Sequence, residues 1–368
     1  MRLLFLNYET ALGSAVHATP VFAALQQLHP DWEIHVACSG IPQFLFIHNP
    51  HIHTLHITKH PVRDTLLTAL QLTKIGLVHQ FDAVLLNTGN SRPRIAWNAL
   101  FIKAKQTIGI EAKSYFVNTL LHTQKGNSVA LNNLQVIKPL IPDLKEVFWA
   151  NSFEVYFGKN QYENALNFRL KTIIHNKPLI GIVTQTSGGQ PSSWRPEKFI
   201  EVAKHLIKAT EGVLLFFGSS QERNAIDDII NQLGNNAISL AGKTSIEELP
   251  AFCAVCDVLV TLDTGIMHIG RAVGVPMVVI APAWQPEYEW LPLNQEKYHV
   301  IRKWEIGCRN CLKFFCETHE CMEEISVEEV VEATLFQLGR FVNAKQDDWK
   351  VRLEKWLSLK QPKIQYLA

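Results

Sequence analysis

Short apolar runs alternate along this chain with longer segments that have the 3.6-residue period of amphipathic helices. In the second half, the helical patterns include Pro196–Lys208 and Ser245–Cys256, and the latter opens with the capping-box pair Ser245 and Glu248. This alternation is typical of βαβ units, so we expect parallel sheets covered by helices. The predicted strands of this half are Leu179–Thr184, Val213–Phe217, Ala237–Leu240, Val258–Leu262, Met277–Ile280 and His299–Arg302.

The first half repeats the pattern less regularly. A helix is expected over Ala15–Leu28, with Pro20 as an irregularity within it. A polar stretch at Gly158–Pro178 has no strong strand pattern and marks the predicted domain boundary. The predicted strands of this half are Leu3–Asn7, Glu33–Ala37, Ala83–Asn87 and Thr107–Gly109.

The pattern as a whole predicts an α/β protein of two Rossmann-like, doubly wound parallel-sheet domains that face a cleft, with ligands at the carboxyl ends of the strands. We assign residues 1–165 to the first domain, 166–340 to the second and 341–368 to a helical segment. Within that segment Asp347–Leu359 is amphipathic. It either packs back on the first domain or lies on the surface of the second.

Composition and charge exclude several classes of protein. The 368 residues carry a net charge of +1, which argues against nucleic-acid binding. Residues 1–170 hold 14 Lys and Arg against 10 Asp and Glu, so this half is +4 and could meet an acidic acceptor or an anionic membrane surface. No apolar run approaches the roughly 18 residues that span a bilayer, and Met1–Leu6 is better interpreted as a first strand than as a signal peptide. We therefore expect a cytoplasmic protein, peripheral at most to the inner membrane.

The segment from Val258 onward carries the clearest chemistry. A buried strand ends at Asp263 and Thr264, the chain turns at Gly265, and a helix begins that carries His268 in its first turn. The unpaired N–H groups of such a helix start favour a bound diphosphate. Asp263 can accept hydrogen bonds from hydroxyls, so this corner predicts a nucleotide diphosphate sugar as ligand.

Six motifs follow one another along nearly the whole chain: G-S-A-V-H-A-T-P (Gly13–Pro20), H-P-D-W-E-I (His29–Ile34), W-R-P-E-K-F (Trp194–Phe199), F-G-S-S-Q-E (Phe217–Glu222), L-A-G-K-T-S-I-E-E-L (Leu240–Leu249) and D-T-G-x-x-H (Asp263–His268). Together they resemble glycosyltransferase family 9, the bacterial lipopolysaccharide heptosyltransferases and their relatives. The resemblance implies the GT-B fold and metal-independent, inverting transfer of a sugar from a nucleotide diphosphate sugar to a lipopolysaccharide core or another bacterial surface glycan. It implies no required cofactor.

The resemblance also implies a donor site. Glu222 would contact the ribose, Thr244 would lie beside the base, and Thr184 with the loop Thr186–Gly189 would face the phosphates. Taken alone, Glu222 is more typical of an ordinary acid at a helix N-terminus, and His268 is more typical of a helix-face histidine with its hydrogen bonds satisfied. The donor-binding positions are Thr184, Ser187, Glu222, Lys243, Thr244, Asp263, Thr264, Gly265 and His268.

Two positions depart from the family pattern. The family has an aspartate as catalytic base where this chain has Ser14, and an unassisted serine is no base near neutral pH. Glu9, in the same loop after the first strand, is the favoured substitute, and His17 is the second candidate. A solvated loop carboxylate is the alternative interpretation of Glu9.

The second departure concerns the lysine that the family places just before its W-P motif. Ser192 and Ser193 occupy that region here, so Arg195 or Lys243 would supply the missing positive charge. On the acceptor side, we expect Ser14 and His17, with Arg92 and Arg94 gripping acceptor phosphates. The alternative for the two arginines is a solvated basic face.

Cysteines and histidines cluster in two further places. Cys308, Cys311, Cys316 and Cys321 would hold a structural zinc, pack as reduced thiols, or serve a redox role. Cys253 and Cys256 are interpreted as core residues on a helix face. A tract of five histidines is interpreted as a surface or acceptor-facing loop rather than a metal site; it comprises His48, His51, His53, His56 and His60.

Two rival functions remain open at this point. A nucleotide-sugar epimerase would have the same GT-B architecture but would need no acceptor. A catalytically degenerate scaffold, its base replaced by Ser14, would bind the donor without turning it over.

Overall fold

The computed structural model describes residues 1–173, 177–186, 192–292, 296–313, 316–341, 354–356 and 358–367. The chain divides into two compact units. The first comprises Met1–Tyr156 and Trp356–Ala368, and the second comprises Phe157–Lys355. Each unit is built around one parallel sheet covered by helices, as the alternating pattern predicted.

The first unit contains a seven-stranded sheet in the order β13-β3-β2-β1-β4-β5-β6, and every pair of neighbours is parallel. Its strands are β1 (Arg2–Asn7), β2 (Glu33–Cys38), β3 (Thr54–Ile57), β4 (Phe81–Leu86), β5 (Ala104–Ile110), β6 (Thr119–Leu121) and β13 (Lys363–Tyr366). Its helices are α1 (Leu12–Val16), α2 (Thr19–Leu28), α3 (Ile41–Phe46), α4 (Thr65–His79), α5 (Pro93–Ala96), α6 (Val129–Leu134) and α7 (Glu146–Trp149).

The second unit contains a six-stranded parallel sheet in the order β12-β11-β10-β7-β8-β9. Its strands are β7 (Leu179–Val183), β8 (Val213–Phe217), β9 (Ala237–Ser239), β10 (Val258–Leu262), β11 (Met277–Ile280) and β12 (Tyr298–Ile301). Its helices are α8 (Lys159–Thr172), α9 (Pro196–Thr210), α10 (Arg223–Ile230), α11 (Leu249–Ala254), α12 (Gly265–Val273), α13 (Glu287–Trp290), α14 (Glu320–Glu323) and α15 (Val327–Phe341).

Both sheets contain the doubly wound strand order of Rossmann folds. All strands run parallel, but the direction in which successive strands are added to the sheet reverses between β1 and β4 in the first sheet and between β7 and β10 in the second. The loops after these neighbouring strands diverge to opposite faces of the sheet and leave a crevice between them. Each unit therefore has one topological switch point at the carboxyl edge of its sheet. The central strands β1 and β10 are buried because their apolar runs have helices on both faces.

Three strands and two helices differ from the sequence prediction. The prediction did not include β3, β6 or β13, which are short and lie toward the edges of the first sheet. The helix predicted over Ala15–Leu28 begins earlier and is interrupted at His17 and Ala18, so α1 and α2 are separate helices. Pro20 lies in the first turn of α2, where its missing N–H costs no hydrogen bond.

The helix predicted from Ser245 starts later, at Leu249. The capping-box hydrogen bonds nonetheless form, since Glu248 N donates to Ser245 Oγ at 3.2 Å and Ser245 N donates to Glu248 Oε2 at 3.0 Å. Most of the amphipathic segment Asp347–Leu359 lies outside the described residues. None of the helices described is both long and apolar enough to cross a bilayer.

The prediction that the histidine tract is a loop is wrong for its central part. His56 lies in β3 and is completely buried, because the run T-L-H-I pairs with β2 on one side and β13 on the other. His51 is also buried, and its Nε2 lies 2.7 Å from Glu154 Oε2.

Candidate functional site

The switch point of the first sheet opens into a cavity of about 1160 Å³. Its lining combines residues after β1, the loop after β3 and the segment after β4. Four of the predicted residues lie here together: Glu9, Ser14, Arg92 and Arg94. His17 does not line this cavity, because it follows α1 as its C-cap residue and its buried ring packs against Phe153, with the ring centroids 4.9 Å apart.

Glu9 is held by the turn Thr88–Asn90 that follows β4. Asn90 Nδ2 donates to Glu9 Oε1 at 3.1 Å, and Asn90 Oδ1 accepts from the backbone N–H of Tyr8 at 2.6 Å. Gly89 is required by this arrangement, since a Cβ at that position would lie 1.8 Å from Glu9 Oε1. The sequence prediction named neither Gly89 nor Asn90, although both belong to the N-T-G-N run before the two arginines.

The environment of Glu9 suits a general base. The half-buried carboxylate loses part of its hydration, which raises its pKa to about 7, and the nearby Arg92 guanidinium opposes this shift. A carboxylate with such a pKa is partly ionised at neutral pH and binds a proton more strongly than an ordinary glutamate. Ser14 is half-exposed on α1 and lines the same cavity.

The cavity lining is markedly basic. Lys59, His60 and Arg63, which follow β3, join the exposed Arg92 and Arg94, which flank the start of α5. Such a lining favours an anionic ligand. The three residues after β3 were not predicted as site residues, because β3 itself was not predicted.

The switch point of the second sheet brings together residues that follow β7 and β10. The register pairs Val183 with Thr261, so Thr184 lies beside the end of β10, next to Asp263. Asp263 and Thr184 are both buried. Among the described residues, the buried hydroxyls of Thr184 and Thr264 have no hydrogen-bond partner. A buried polar atom without a partner calls for an explanation, and a ligand at the carboxyl end of these strands would supply the missing hydrogen bonds.

Asp263 belongs to a short series of hydrogen-bonded polar groups that the sequence prediction missed. Gln285 Nε2 donates to Asp263 Oδ2 at 3.1 Å, and Arg302 Nη2 donates to the carbonyl oxygen of Gln285. Burial raises the pKa of Asp263 to about 6, while Gln285 and Arg302 lower it. Arg302 ends the predicted strand His299–Arg302. A charged residue at the end of an apolar strand could have marked it as a candidate site residue.

Helix α12 starts directly after this corner. Thr264 is its N-cap residue in extended conformation, so the first N–H groups of Gly265 and its successors lie at the carboxyl end of β10. His268 is buried, and its ring packs edge to face with Trp290 at a centroid distance of 6.0 Å. Burial lowers the pKa of His268 to about 3, so the imidazole is neutral at pH 7.

Glu222, Lys243 and Thr244 lie after β8 and β9 on the same edge. Glu222 Oε2 accepts hydrogen bonds from the backbone N–H and the hydroxyl of Ser219, so its carboxylate caps the turn before α10. Lys243 is exposed and Thr244 half-exposed, in a turn that needs Gly242 because its φ is 66°. Ser187 lies outside the described residues.

Comparison with known proteins identifies the family. Residues 74–321 match glycosyltransferase family 9 (heptosyltransferase). The chain belongs to this family. It is 24% identical over 339 residues to lipooligosaccharide heptosyltransferase 2 of Campylobacter jejuni, which covers 89% of this chain and 97% of that relative.

Solved structures resemble it over almost its full length. A family 9 glycosyl transferase from Veillonella parvula has a TM-score of 0.75 at 19% identity, covering 92% of this chain and 97% of that one. The Escherichia coli ADP-heptose lps heptosyltransferase II has a TM-score of 0.74 at 19% identity, covering 92% and 99%. The GT-B fold and the glycosyltransferase activity predicted from the sequence are thereby confirmed.

In this family 9 glycosyltransferase, Arg195, one of the two cations predicted to replace the missing lysine, forms an ion pair with a glutamate of its own unit. Its Nε donates to Glu323 Oε1 at 2.7 Å. Lys243 and Arg302 lie at the carboxyl edge of the second sheet, and Arg302 is buried with Nε and Nη1 lacking hydrogen-bond partners among the described residues. The sequence prediction did not consider Arg302 as a source of the missing positive charge.

The cysteine segment does not assemble a ligand set in the part of the chain that the structure describes. Cys308, Cys311 and Cys316 are half-buried, whereas Cys321 packs into the core of the second unit. The hydrogen bond from His319 N to Cys316 Sγ lowers the pKa of that thiol. Cys253 and Cys256 are fully buried, so their interpretation as core residues is confirmed.

Proposed function

We propose that this protein transfers a heptose from ADP-heptose to a lipopolysaccharide-core or related bacterial surface glycan acceptor, with inversion at the anomeric carbon and without a catalytic metal. The family and the names of its relatives support the sugar and the acceptor class. The observation that carries the mechanism is the glutamate held in the basic cavity of the first unit. Its raised pKa suits the role of base that Ser14 cannot fill.

In the proposed reaction, Glu9 removes the proton from an acceptor hydroxyl. That oxygen forms a bond to the anomeric carbon as the bond from this carbon to the diphosphate oxygen breaks on the opposite face. The proton ends on Glu9, and ADP leaves as the diphosphate anion. Attack opposite the leaving group inverts the anomeric configuration.

The residues at the second switch point support a role in binding the donor. We propose that Asp263 accepts hydrogen bonds from donor hydroxyls and that the N–H groups at Gly265 hold the diphosphate. Neutral His268 would donate one hydrogen bond to it. Arg302, as a buried cation, and Lys243 would offset the developing negative charge. The hydroxyls of Thr184 and Thr264 would gain the hydrogen-bond partners that they lack among the described residues.

On the acceptor side, we propose that the basic cavity binds an acceptor carrying phosphate groups. Two of its cations, Arg92 and Arg94, have exposed side chains that can reach such groups.

We also propose that α4 binds the enzyme to the surface of an anionic membrane. Five large apolar side chains of this helix are exposed, and the helix contains Lys74 but no acid. The flanking chain is basic as well: residues 59–105 contain seven Lys and Arg against two Asp, a net charge of +5. An apolar stripe with a basic surround is typical of helices that lie in a bilayer interface. The exposed residues are Leu66, Leu67, Leu70, Leu77 and Val78.

The first test measures thermal stability with ADP-heptose, ADP and sugars of UDP, GDP and dTDP. Ligand at about a hundredfold over its Kd stabilises a protein by about 2.7 kcal/mol, an easily measured shift. Among the nucleotide sugars, we expect only ADP-heptose to raise the melting temperature. Asp263→Ala should lose this increase, and Glu9→Gln should retain it. Transfer to the acceptor should be lost in both variants.

Two outcomes would contradict the proposal. A donor-dependent shift without transfer by the wild type would make the protein a donor-binding scaffold. Release of an altered free sugar without acceptor would make it an epimerase.

A further inference from the structure

A cluster of three histidines lies in the first unit, outside the cavity that contains Glu9. The cluster consists of His35 in β2, His56 in β3 and His79 at the end of α4. One ring nitrogen of each histidine lies within 4.8 Å of those of the other two. His35 and His56 are buried, and His79 is half-exposed, which leaves the cluster a route to solvent.

Two of the ring nitrogens are close to the spacing of metal ligands. His35 Nδ1 and His56 Nε2 are 2.9 Å apart. Two imidazole nitrogens on a tetrahedral zinc, each about 2.0–2.1 Å from the ion, are roughly 3.3 Å apart. A shift of a few tenths of an ångström would bring this pair to ligand spacing, and the half-exposed His79, whose ring nitrogen lies within 4.8 Å of both, would move closer to complete the site.

An outer layer of polar groups orients the rings. Glu33 Oε2 lies 3.6 Å from His35 Nε2, which favours the tautomer with a proton on Nε2 and a free lone pair on Nδ1. A carboxylate behind a histidine is the usual outer partner of a metal ligand. Arg2 fixes that carboxylate through Nε at 2.5 Å, and its Nη1 donates to the carbonyl oxygen of His79 at 2.5 Å. Gln365 of β13 interacts with both His56 and His79.

We propose that His35, His56 and His79 bind a divalent transition-metal ion, with zinc as the principal candidate. Imidazole ligands suit this class of ion. The site has a structural role: it ties β2, β3 and the end of α4 together toward the amino ends of the strands. It takes no part in the transfer reaction, whose proposed base lies at the carboxyl edge of the sheet.

The test uses the full-length protein freed of metal with a chelator. Added Co²⁺ should give the visible absorption of a nitrogen-coordinated ion, and Zn²⁺ should raise the melting temperature by about 5 °C. Both effects should be absent from His79→Gln, whose metal-free melting should match that of the metal-free wild type. The matched control is His205→Gln, an exposed histidine of α9 in the other unit.

A second control separates this site from the cysteine segment. Cys308→Ser should retain both effects, because no thiol belongs to the proposed site. The proposal is overturned if neither effect occurs in the wild type, if His79→Gln retains them, or if Cys308→Ser alone abolishes them.

Discussion

At the scale of single residues, Glu9 combines a cost in stability with a gain in reactivity. Its folded pKa of about 7 lies above the ordinary value of 4.5, because burial penalises the ionised form. The folded state therefore binds a proton more tightly than the unfolded state, and stability falls as the pH rises from about 4.5 to 7. Above pH 7 the penalty is complete, and this is also where an ionised base is available for catalysis.

We expect the transfer rate of the wild type to fall as the pH drops below about 7, because protonated Glu9 cannot accept the acceptor's proton. Glu9→Gln should lose transfer at every pH. At pH 8 the same variant should be more stable than the wild type by roughly 2 kcal/mol, since an amide avoids the burial penalty. At pH 4 the two proteins should be nearly equal. Rate profiles and denaturant unfolding at both pH values measure these effects.

The matched control is Asp64→Asn, a carboxyl on the lining of the same cavity that belongs to the segment after β3. It should leave the pH profile of transfer unchanged. A pH-independent rate in the wild type, or full activity in Glu9→Gln, would exclude Glu9 as the base.

The candidate site residues differ in how far sequence could predict them. Asp263, Thr264 and Gly265 are adjacent, and a strand that runs into a helix fixes their geometry locally. Glu9 could be selected by its chemistry and its place after β1. Its partner Asn90 is 81 residues away, however, and only the pairing of β1 with β4 brings the two together. Gln285 and Arg302 were missed for the same reason, since loops after neighbouring strands meet only in three dimensions.

At the scale of elements, α4 has two faces with different roles. Leu72 and Ile75 are buried against the first sheet, and Gly76 lets the chain at Ile102 approach closely, since a Cβ there would lie 3.2 Å from Ile102 Cα. The opposite face exposes 77% of Leu66 and 67% of Leu70. Solvent-exposed leucines on one stripe gain nothing in water, which supports the proposed contact with a bilayer.

We expect the protein to bind vesicles containing anionic phosphatidylglycerol more tightly than neutral phosphatidylcholine vesicles, and less tightly at high salt. The double substitution Leu66→Gln with Leu70→Gln should weaken binding by about tenfold or more, because two apolar side chains that the bilayer would bury are lost. Co-sedimentation with vesicles measures the effect.

The control is Leu170→Gln on α8 of the second unit, which removes an equally exposed leucine. It should bind as the wild type does. Equal binding by all three proteins would exclude α4 as the membrane contact.

The accuracy of the predicted strands follows their composition. The run V-L-V-T-L of β10 is apolar and β-branched, so it could be assigned from sequence alone. The runs T-L-H-I of β3 and K-I-Q-Y of β13 mix polar and apolar residues, and each forms a strand because it pairs with a neighbouring strand of the sheet. Their residues are about 300 positions apart, so no local pattern could pair them.

At the scale of the whole molecule, the chain begins in the first unit, forms the second and returns to the first. The return is fixed by contacts spread over the last residues. Trp356 packs edge to face on Tyr156 with centroids 4.8 Å apart, and Gln71 Nε2 donates to the carbonyl oxygen of Leu367 at 2.8 Å. Between these contacts β13 extends the first sheet by one strand beyond β3, where it also places Gln365 beside the histidine cluster.

The strand β13 offers a test in which two proline substitutions, at its first and last residues, should differ in their effect on strand pairing. Lys363 N donates to the carbonyl oxygen of His53 at 2.9 Å, and Leu367 N donates to that of Ile57 at 3.0 Å. Alternate N–H groups of a strand point in opposite directions, so the N–H of Tyr366 points away from β3. Proline at position 363 removes a ladder hydrogen bond, whereas proline at position 366 removes none. Both side chains are exposed, so the two substitutions differ mainly in that hydrogen bond.

We expect Lys363→Pro to make the backbone amides of β3 exchange with deuterium about tenfold faster, because one lost hydrogen bond costs about 1.4 kcal/mol in local opening. Tyr366→Pro should leave their exchange near that of the wild type. The amides of β10 in the second unit provide the internal reference and should not change in either variant. Equal acceleration by the two prolines would mean that β13 is held by its side chains and not by its register on β3.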